Sequence, residues 1–323
     1  MASDSRAAQA LAKKLRALRG ALLKRVPVKQ IQRWAENDAI FQRTKPVTFQ
    51  AMHVAGDPHL AFLRGAVDQD LLREIDVSEE KHHVKLHAWF LPPKDQWPTV
   101  IFSYGNASNL ADAKYLMESF GRRGMGFLGW SYPGYEYSEG RSSERNVSDG
   151  LEAMSRYLAQ QHGIQPAEQI AMGHSLGGLV TVDVATRIPF QLIVLIATTP
   201  SLPDYYEHLL SDIPSLLRSL CPPKERIDQR FDALTKISRI QSPAMLIYFN
   251  KDEEVPLSMA KKLVNRSATP NYELVLDAAD HDAILDPRTA EEICNAVSVK
   301  ARELVMPASH HRPETAQAGP ALQ

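Results

Sequence analysis

A chain of 323 residues, 44% of them hydrophobic, is long enough to bury a sizeable core, and open α/β sheets of this length often remain one domain. Its 37 basic and 38 acidic residues leave a formal net charge of -1, so composition gives no electrostatic ground for nucleic acid as a partner. The two cysteines, Cys221 and Cys294, lack CxxC spacing and make neither a metal site nor a disulfide framework, and no stretch reaches the roughly 18 apolar residues of a membrane-spanning helix.

From Ser5 to Ala35 the chain carries Arg6, Lys13, Lys14, Arg16, Arg19, Lys24, Arg25, Lys29 and Arg33 and no acid, while Leu11, Leu15, Leu18 and Leu22 recur at helical spacing. A basic amphipathic helix follows from that pattern. It can lie on an anionic membrane surface, act as an organelle presequence, or pack on the domain with its charged face in water. The expected location is cytoplasmic, with peripheral membrane contact through this helix. At the other end, Met306 to Gln323 is rich in Pro, Ala, His and Gln and has the composition of a disordered tail.

Between these ends, short apolar runs alternate with amphipathic stretches. Val84, Leu86, Ala88 and Phe90 alternate along a strand that stops at Pro92-Pro93, and Thr99 to Tyr104 is an apolar run ending at Gly105. A helix around Asp112 to Arg122, a strand from Gly126 to Ser131, a helix from Asn146 to His162 and a strand from Gln169 to Gly173 come next. A helix from Leu176 to Arg187 leads to the runs Gln191 to Ala197 and Ala244 to Asn250, a helix after Pro256, the run Tyr272 to Leu276 and a last helix near Pro287. Such alternation predicts an α/β fold with a mostly parallel central sheet and helices on both faces. Pro200 to Ile240, with Tyr205, Tyr206, Pro214, Leu216, Leu217 and Pro222-Pro223, breaks the rhythm and predicts a small helical excursion over the sheet.

Gly173-His174-Ser175-Leu176-Gly177 has the G-x-S-x-G pattern of a nucleophile elbow, with the apolar Ile170-Ala171-Met172 leading in and a helix leading out. The elbow glycines Gly173 and Gly177 are needed because a side chain there would collide with neighbouring chain. A serine hydroxyl needs a base, and the partners of such an elbow follow in the order acid, then histidine. After Ser175 the histidines are His208, His281, His310 and His311, and only His281 stands in a loop between a strand and a helix. Asp252, after the strand ending at Phe249 and ahead of Val255-Pro256, is the expected acid, with Glu253 and Glu254 as its competitors. The oxyanion donors expected are the backbone N–H of Leu176 and Asn106, in the Gly105-Asn106 turn, each worth roughly 3 to 4 kcal/mol when preorganised.

Taken together, these residues resemble the Bem46-like α/β hydrolases, serine hydrolases related to domain-containing esterases and protein depalmitoylases. Trp89-Phe90-Leu91-Pro92 is similar to the family's early strand end, and Tyr104-Gly105-Asn106-Ala107 to its His-Gly-Asn-Ala oxyanion loop. Tyr132-Pro133-Gly134-Tyr135 with Ser138-Glu139-Gly140 resembles its Tyr-Arg-Gly-Tyr-Gly-x-Ser-x-Gly loop, and Arg230-Phe231-Asp232-Ala233-Leu234 its Arg-Phe-Asp segment. Three positions depart from the pattern: Tyr104 replaces a histidine, Glu136 a glycine and Phe249 a glycine.

The expected organisation is an α/β-hydrolase domain over residues 45–305, of which the resemblance spans about 84 to 300, flanked by the basic extension 1–35 and the tail 306–323. The resemblance implies a carboxylic-ester hydrolase with Ser175, Asp252 and His281 as a triad, acting on a small-molecule or lipid-like acyl ester, with no cofactor, no metal and no nucleic acid. Two alternatives stay open at this point. One is an acyl-protein or acyl-CoA thioesterase, and the other is a catalytically silent hydrolase fold serving as a lipid-surface or protein-binding module.

Overall fold

The computed structural model describes Phe41 and residues 57–305 except 212, 219–220, 222 and 278–279. The basic extension 1–35 and the tail 306–323 lie outside the described residues. In chain order the described elements are α1 (Ala61–Asp68), β1 (Arg73–Glu79), β2 (Val84–Leu91), β3 (Thr99–Ser103), α2 (Lys114–Arg122), β4 (Gly126–Trp130), α3 (Glu144–His162), β5 (Gln169–His174), α4 (Leu176–Ala185) and β6 (Leu192–Ile196). They continue with α5 (Leu202–Ser211), α6 (Ser215–Arg218), α7 (Ala233–Lys236), β7 (Ala244–Phe249), α8 (Leu257–Arg266), β8 (Asn271–Leu276) and α9 (Pro287–Val305).

The eight strands form one sheet in the order β1-β2-β4-β3-β5-β6-β7-β8. Pairing is parallel from β4 through β3 to β8, and antiparallel only where β1 meets β2 and β2 meets β4. The sheet chemistry follows its geometry. Strands covered on both faces cannot alternate polar and apolar, and β3 to β7 are buried along their whole length, with β6 reading Leu-Ile-Val-Leu-Ile. The two edges are different: β1 (Arg-Glu-Ile-Asp-Val-Ser-Glu) and β8 (Asn-Tyr-Glu-Leu-Val-Leu) carry the charges that discourage edge-to-edge association. The charged β1 has no apolar run, which is why sequence periodicity passes over it.

Helix ends are set locally. Ser143 accepts the Asn146 N–H to start α3, and Gly163 ends it in the left-handed region at φ 71°. Pro256 precedes α8 and Pro287 opens α9, where Asp286 accepts the N–H groups of Arg288 and Thr289. Helices α1, α2 and α9 pack together as one group, and α3, α4, α7 and α8 as another. The segment 200–240 is a helical excursion, made of α5, α6, α7 and short 3-10 turns.

One tie within the first group was not visible in the sequence. Glu118 on α2 is buried, and its two carboxylate oxygens accept the N–H groups of Phe62 (3.1 Å) and Leu63 (2.8 Å) in the first turn of α1. Those are N–H groups that helix geometry leaves without partners, and the negative charge also suits the positive helix end. Glu118→Ala is therefore expected to lower stability by about 2 kcal/mol, read from urea unfolding. An unchanged midpoint would show that α1 does not depend on this cap.

Candidate active site

The segment from β5 to α4 is the tightest in the sheet. A Cβ on Gly173 would stand 2.2 Å from the Gly177 carbonyl, and one on Gly177 would stand 1.9 Å from the Ser103 carbonyl oxygen at the end of β3. Neither position admits a side chain. The chain therefore reverses in one residue, and Ser175 takes φ 51° and ψ -116°, outside the usual regions for an L-residue. Its N–H is held by the Ile196 carbonyl at 2.8 Å, and its carbonyl by the Gly178 N–H at 3.0 Å. Both bonds offset a strain of order 1–3 kcal/mol. Ser175 is half-buried, so its hydroxyl is reachable above the sheet.

The loop after β3 lies against this elbow. A Cβ on Gly105 would be 3.0 Å from His174 Nδ1 and 3.4 Å from Ser175 Cβ, which puts Asn106 one residue from direct contact with the serine. Leu176 is the first residue of α4, where the N–H groups have no intrahelical partner and the helix dipole is positive. Tyr104, just before the loop, is buried and fixed by Tyr132, whose hydroxyl donates to the Tyr104 carbonyl while its N–H donates to the Tyr104 hydroxyl at 3.3 Å.

Asp252 and His281 meet from the loops after β7 and β8. His281 Nδ1 and Asp252 Oδ2 are 2.8 Å apart, and both residues are buried. The other Asp252 oxygen accepts the N–H groups of Glu254 (2.9 Å) and Val255 (2.8 Å), which fixes the carboxylate from its far side. Glu253 and Glu254, the competing acids, are exposed. With Nδ1 engaged, Nε2 is the nitrogen left for a serine proton. Among the described residues no hydrogen bond joins Ser175 to His281.

His174 closes the site from below, a role the sequence reading missed. Its Nε2 donates to the His281 carbonyl at 3.0 Å, and the two rings stand 4.9 Å apart. Burial, followed by the neighbouring His281, pulls its pKa down to about 3, so the ring is neutral. Its signal in the sequence was a polar residue ending a fully buried strand, which must find a partner. For His281 burial acts downward, but the hydrogen bond and charge of Asp252, with Glu254 and Asp282, more than offset it and raise the imidazole above its ordinary value.

The excursion also touches the site. Tyr205 on α5 donates to Glu254 at 3.2 Å, and His208 Nε2 donates to the Glu253 carbonyl at 2.8 Å, so α5 is docked on the loop that carries Asp252. Non-glycine residues in the left-handed region follow four successive strands of the sheet, at Ala107, Glu136, Ser175 and Ala197. Strain of this kind gathers at functional edges. Among the described residues no group of three or more His, Cys, Asp or Glu is arranged to hold a metal ion, and no helix is long and apolar enough to cross a membrane.

An open parallel sheet with a strand–turn–helix serine and a buried Asp–His pair at its carboxyl ends defines a hydrolase-type α/β protein. A family described as "Alpha/beta hydrolase of unknown function (DUF1057)" matches residues 72–203, which include the elbow and stop short of Asp252 and His281. Alpha/beta hydrolase domain-containing protein 17B of Homo sapiens is 28% identical over 190 residues, 58% of this chain and 61% of its own length. An uncharacterized protein of Mycobacterium tuberculosis is 24% identical over 216 residues, covering 66% of this chain and 74% of its own. Among solved structures, an esterase of Pyrococcus furiosus superposes with a TM-score of 0.60 at 21% identity, covering 74% of this chain and 94% of its own. An alpha-beta hydrolase from Vibrio vulnificus gives 0.60 at 17% identity, over 81% and 96%. The chain has the α/β-hydrolase fold, and its similarity to the 17B protein is consistent with the Bem46-like motifs.

The two histidines are expected to titrate differently. His174 should stay neutral with its proton on Nε2 from about pH 5 to 8, while His281 titrates above the ordinary histidine value. Asp252→Asn should lower the His281 pKa and leave His174 neutral, since the Asp252 charge acts to raise the His174 pKa. Nitrogen-15 imidazole NMR reads both rings, and protonation of His174 in that window would contradict the site as described.

Proposed function

We propose that this chain is a serine hydrolase that cleaves carboxylic esters through Ser175, His281 and Asp252. The observation that carries the proposal is the 2.8 Å bond between buried Asp252 and His281, beside a serine held in strained elbow geometry at φ 51°. In the first step the Ser175 oxygen bonds to the ester carbonyl carbon and its proton passes to His281 Nε2. The carbonyl oxygen, now negative, is received by the N–H of Leu176 and by the Asn106 turn. Collapse expels the alcohol, which takes the proton from His281, and leaves an acyl-enzyme. Water then repeats the sequence and releases the acid. Asp252 orients the imidazole and stabilises its charged form.

Electrostatics separates an uncharged substrate from a polyanionic one. Glu254 and Asp282 act on His281, Asp282 and the opposing charge of Lys114 act on Asp112, and Asp112 acts on Glu136. The charges that act on His281, those of Asp252, Glu254 and Asp282, are all acidic. An acidic surrounding repels the phosphates of an acyl-CoA, so the thioesterase alternative narrows to thioesters with an uncharged leaving side. For residues 1–35, the proposal is contact of the basic stretch with anionic lipid in a cytoplasmic setting, tested by co-sedimentation with phosphatidylserine vesicles with and without those residues.

Three outcomes are expected. A fluorophosphonate probe should label the wild type and not Ser175→Ala; absence of serine-dependent labelling would sink the enzyme reading and leave the silent module. On p-nitrophenyl esters, kcat should rise with pH through a pKa above the ordinary histidine value, because only neutral His281 accepts the proton, and Asp252→Asn should cost about 10³- to 10⁴-fold. An acyl-CoA should be cleaved at least about tenfold less efficiently than an uncharged thioester of the same acyl chain, with the gap shrinking in salt. Equal efficiency at low salt would reject the electrostatic argument.

A further inference from the structure

Two of the three positions at which the chain departs from the family it resembles lie far apart in sequence and meet in space. The Tyr104 hydroxyl donates to Glu136 Oε2 at 3.4 Å, the Ser131 hydroxyl donates to the same oxygen in a short bond, and the Leu110 N–H reaches Oε1 at 3.4 Å. These donors come from the start of the loop after β3, from the end of β4, and from the turn that closes the β3 loop. Glu136 is half-buried and sits at φ 40°, in a conformation that favours glycine, the residue expected there from the motif. Asp112, the charged group facing it from the same turn, repels it, and burial opposes its ionisation before that. A residue that is strained, partly desolvated and next to a like charge needs a compensating role to be understood.

We infer that Glu136 is a positioning residue: its carboxylate gathers Tyr104, Ser131 and Leu110 and thereby holds Gly105-Asn106 against Ser175 in the geometry that receives the oxyanion. The inference rests on the serine-hydrolase reading above. Tyr104 transmits the restraint, since it is bonded to Glu136 at its hydroxyl and is covalently joined to Gly105. Gly105 packs beside Ser175, where a Cβ on it would be in van der Waals contact at 3.4 Å from Ser175 Cβ. A shift of the loop by a few tenths of an ångström therefore moves the donor relative to the nucleophile. Such a loss falls on the transition state more than on substrate binding.

Glu136→Gln tests this with little change of shape. Oε1 still accepts from Leu110, but an NH2 group replaces the oxygen that takes both hydroxyls, and the Tyr104 hydroxyl already accepts from the Tyr132 N–H. The expected result on p-nitrophenyl esters is a kcat about tenfold lower with KM within about twofold. An aryl trifluoromethyl ketone is the second probe: Ser175 adds to its carbonyl, the serine proton goes to His281, and the resulting oxyanion needs the same donors. Its affinity should fall by the same factor as kcat.

Tyr104→Phe should give a similar loss, and the double variant no more than the larger single one, because both break one linkage. Should Glu136→Gln not fold, Ser131→Ala and Tyr104→Phe carry the same comparison, each expected to lower kcat and ketone affinity together. Wild-type kcat and ketone affinity in a folded Glu136→Gln, or additive losses in the double variant, would overturn the inference. Failure of the wild type to react with fluorophosphonate is a different result, since it removes the serine-hydrolase reading and the inference with it.

Discussion

Everything at the carboxyl edge of this sheet depends on how closely α4 approaches β3. The Gly177 Cβ position lies 1.9 Å from the Ser103 carbonyl and that of Gly173 lies 2.2 Å from Gly177, so the backbone fills the space that side chains occupy elsewhere. No room remains for a gradual turn. Ser175 is forced to positive φ, and the hydrogen bonds from its N–H to Ile196 and from Gly178 to its carbonyl hold it there. From this contact follow the exposure of the hydroxyl, the placement of the Leu176 N–H at a helix start, and the nearness of the Gly105-Asn106 turn. The elbow and the Gly105-Asn106 loop are one packing arrangement, seen from two strands.

A second constraint is electrostatic. Burying Asp252 is tolerable because all its acceptor capacity is directed, with one oxygen on His281 and the other on two backbone N–H groups. His281 gains from this, and its raised pKa means that its stabilising contribution is complete below the unfolded value of about 6.5 and is lost as pH rises through the folded one. His174 has the opposite sign. Its folded pKa of about 3 lies below the unfolded one, so it favours the fold at neutral pH and penalises it as acid is added. The site is thus built from a histidine kept basic and one kept neutral, 4.9 Å apart, with the neutral one anchoring the main chain of the other.

How much of this the sequence disclosed depends on the kind of signal. Strands β3 to β7 were legible because burial on both faces demands unbroken apolar runs, and the helices α8 and α9 because proline stands at their starts. The charged edge strand β1 and the helix α1 were not, since β1 owes its pairing to register with β2 and α1 owes its start to Glu118, fifty-five residues from Leu63. At the site, Ser175, Asp252 and His281 stood out because the loops after parallel strands, here β5, β7 and β8, lie at one edge, a rule of topology that needs no coordinates. His174, and the docking of Tyr205 and His208 on the acid loop, depend on side-chain directions that no spacing encodes.

The departures at Tyr104 and Glu136 show what a motif comparison misses when it takes positions one at a time. Read singly, each is a defect: a tyrosine where a histidine is expected beside the Gly105-Asn106 turn, and a charged residue where φ 40° favours glycine. Their hydrogen bond makes them a single change. Tyrosine reaches farther than histidine, and its hydroxyl needs an acceptor once buried. A glycine cannot supply one, whereas a glutamate at that position can, with Ser131 and Leu110 completing its coordination. Phe249 has no such partner in the pattern, and it is simply one more buried ring at the end of β7. The strain at Glu136 and the bulk at Tyr104 offset each other through one carboxylate, so neither substitution is conservative alone and the pair preserves the loop that both would otherwise disturb.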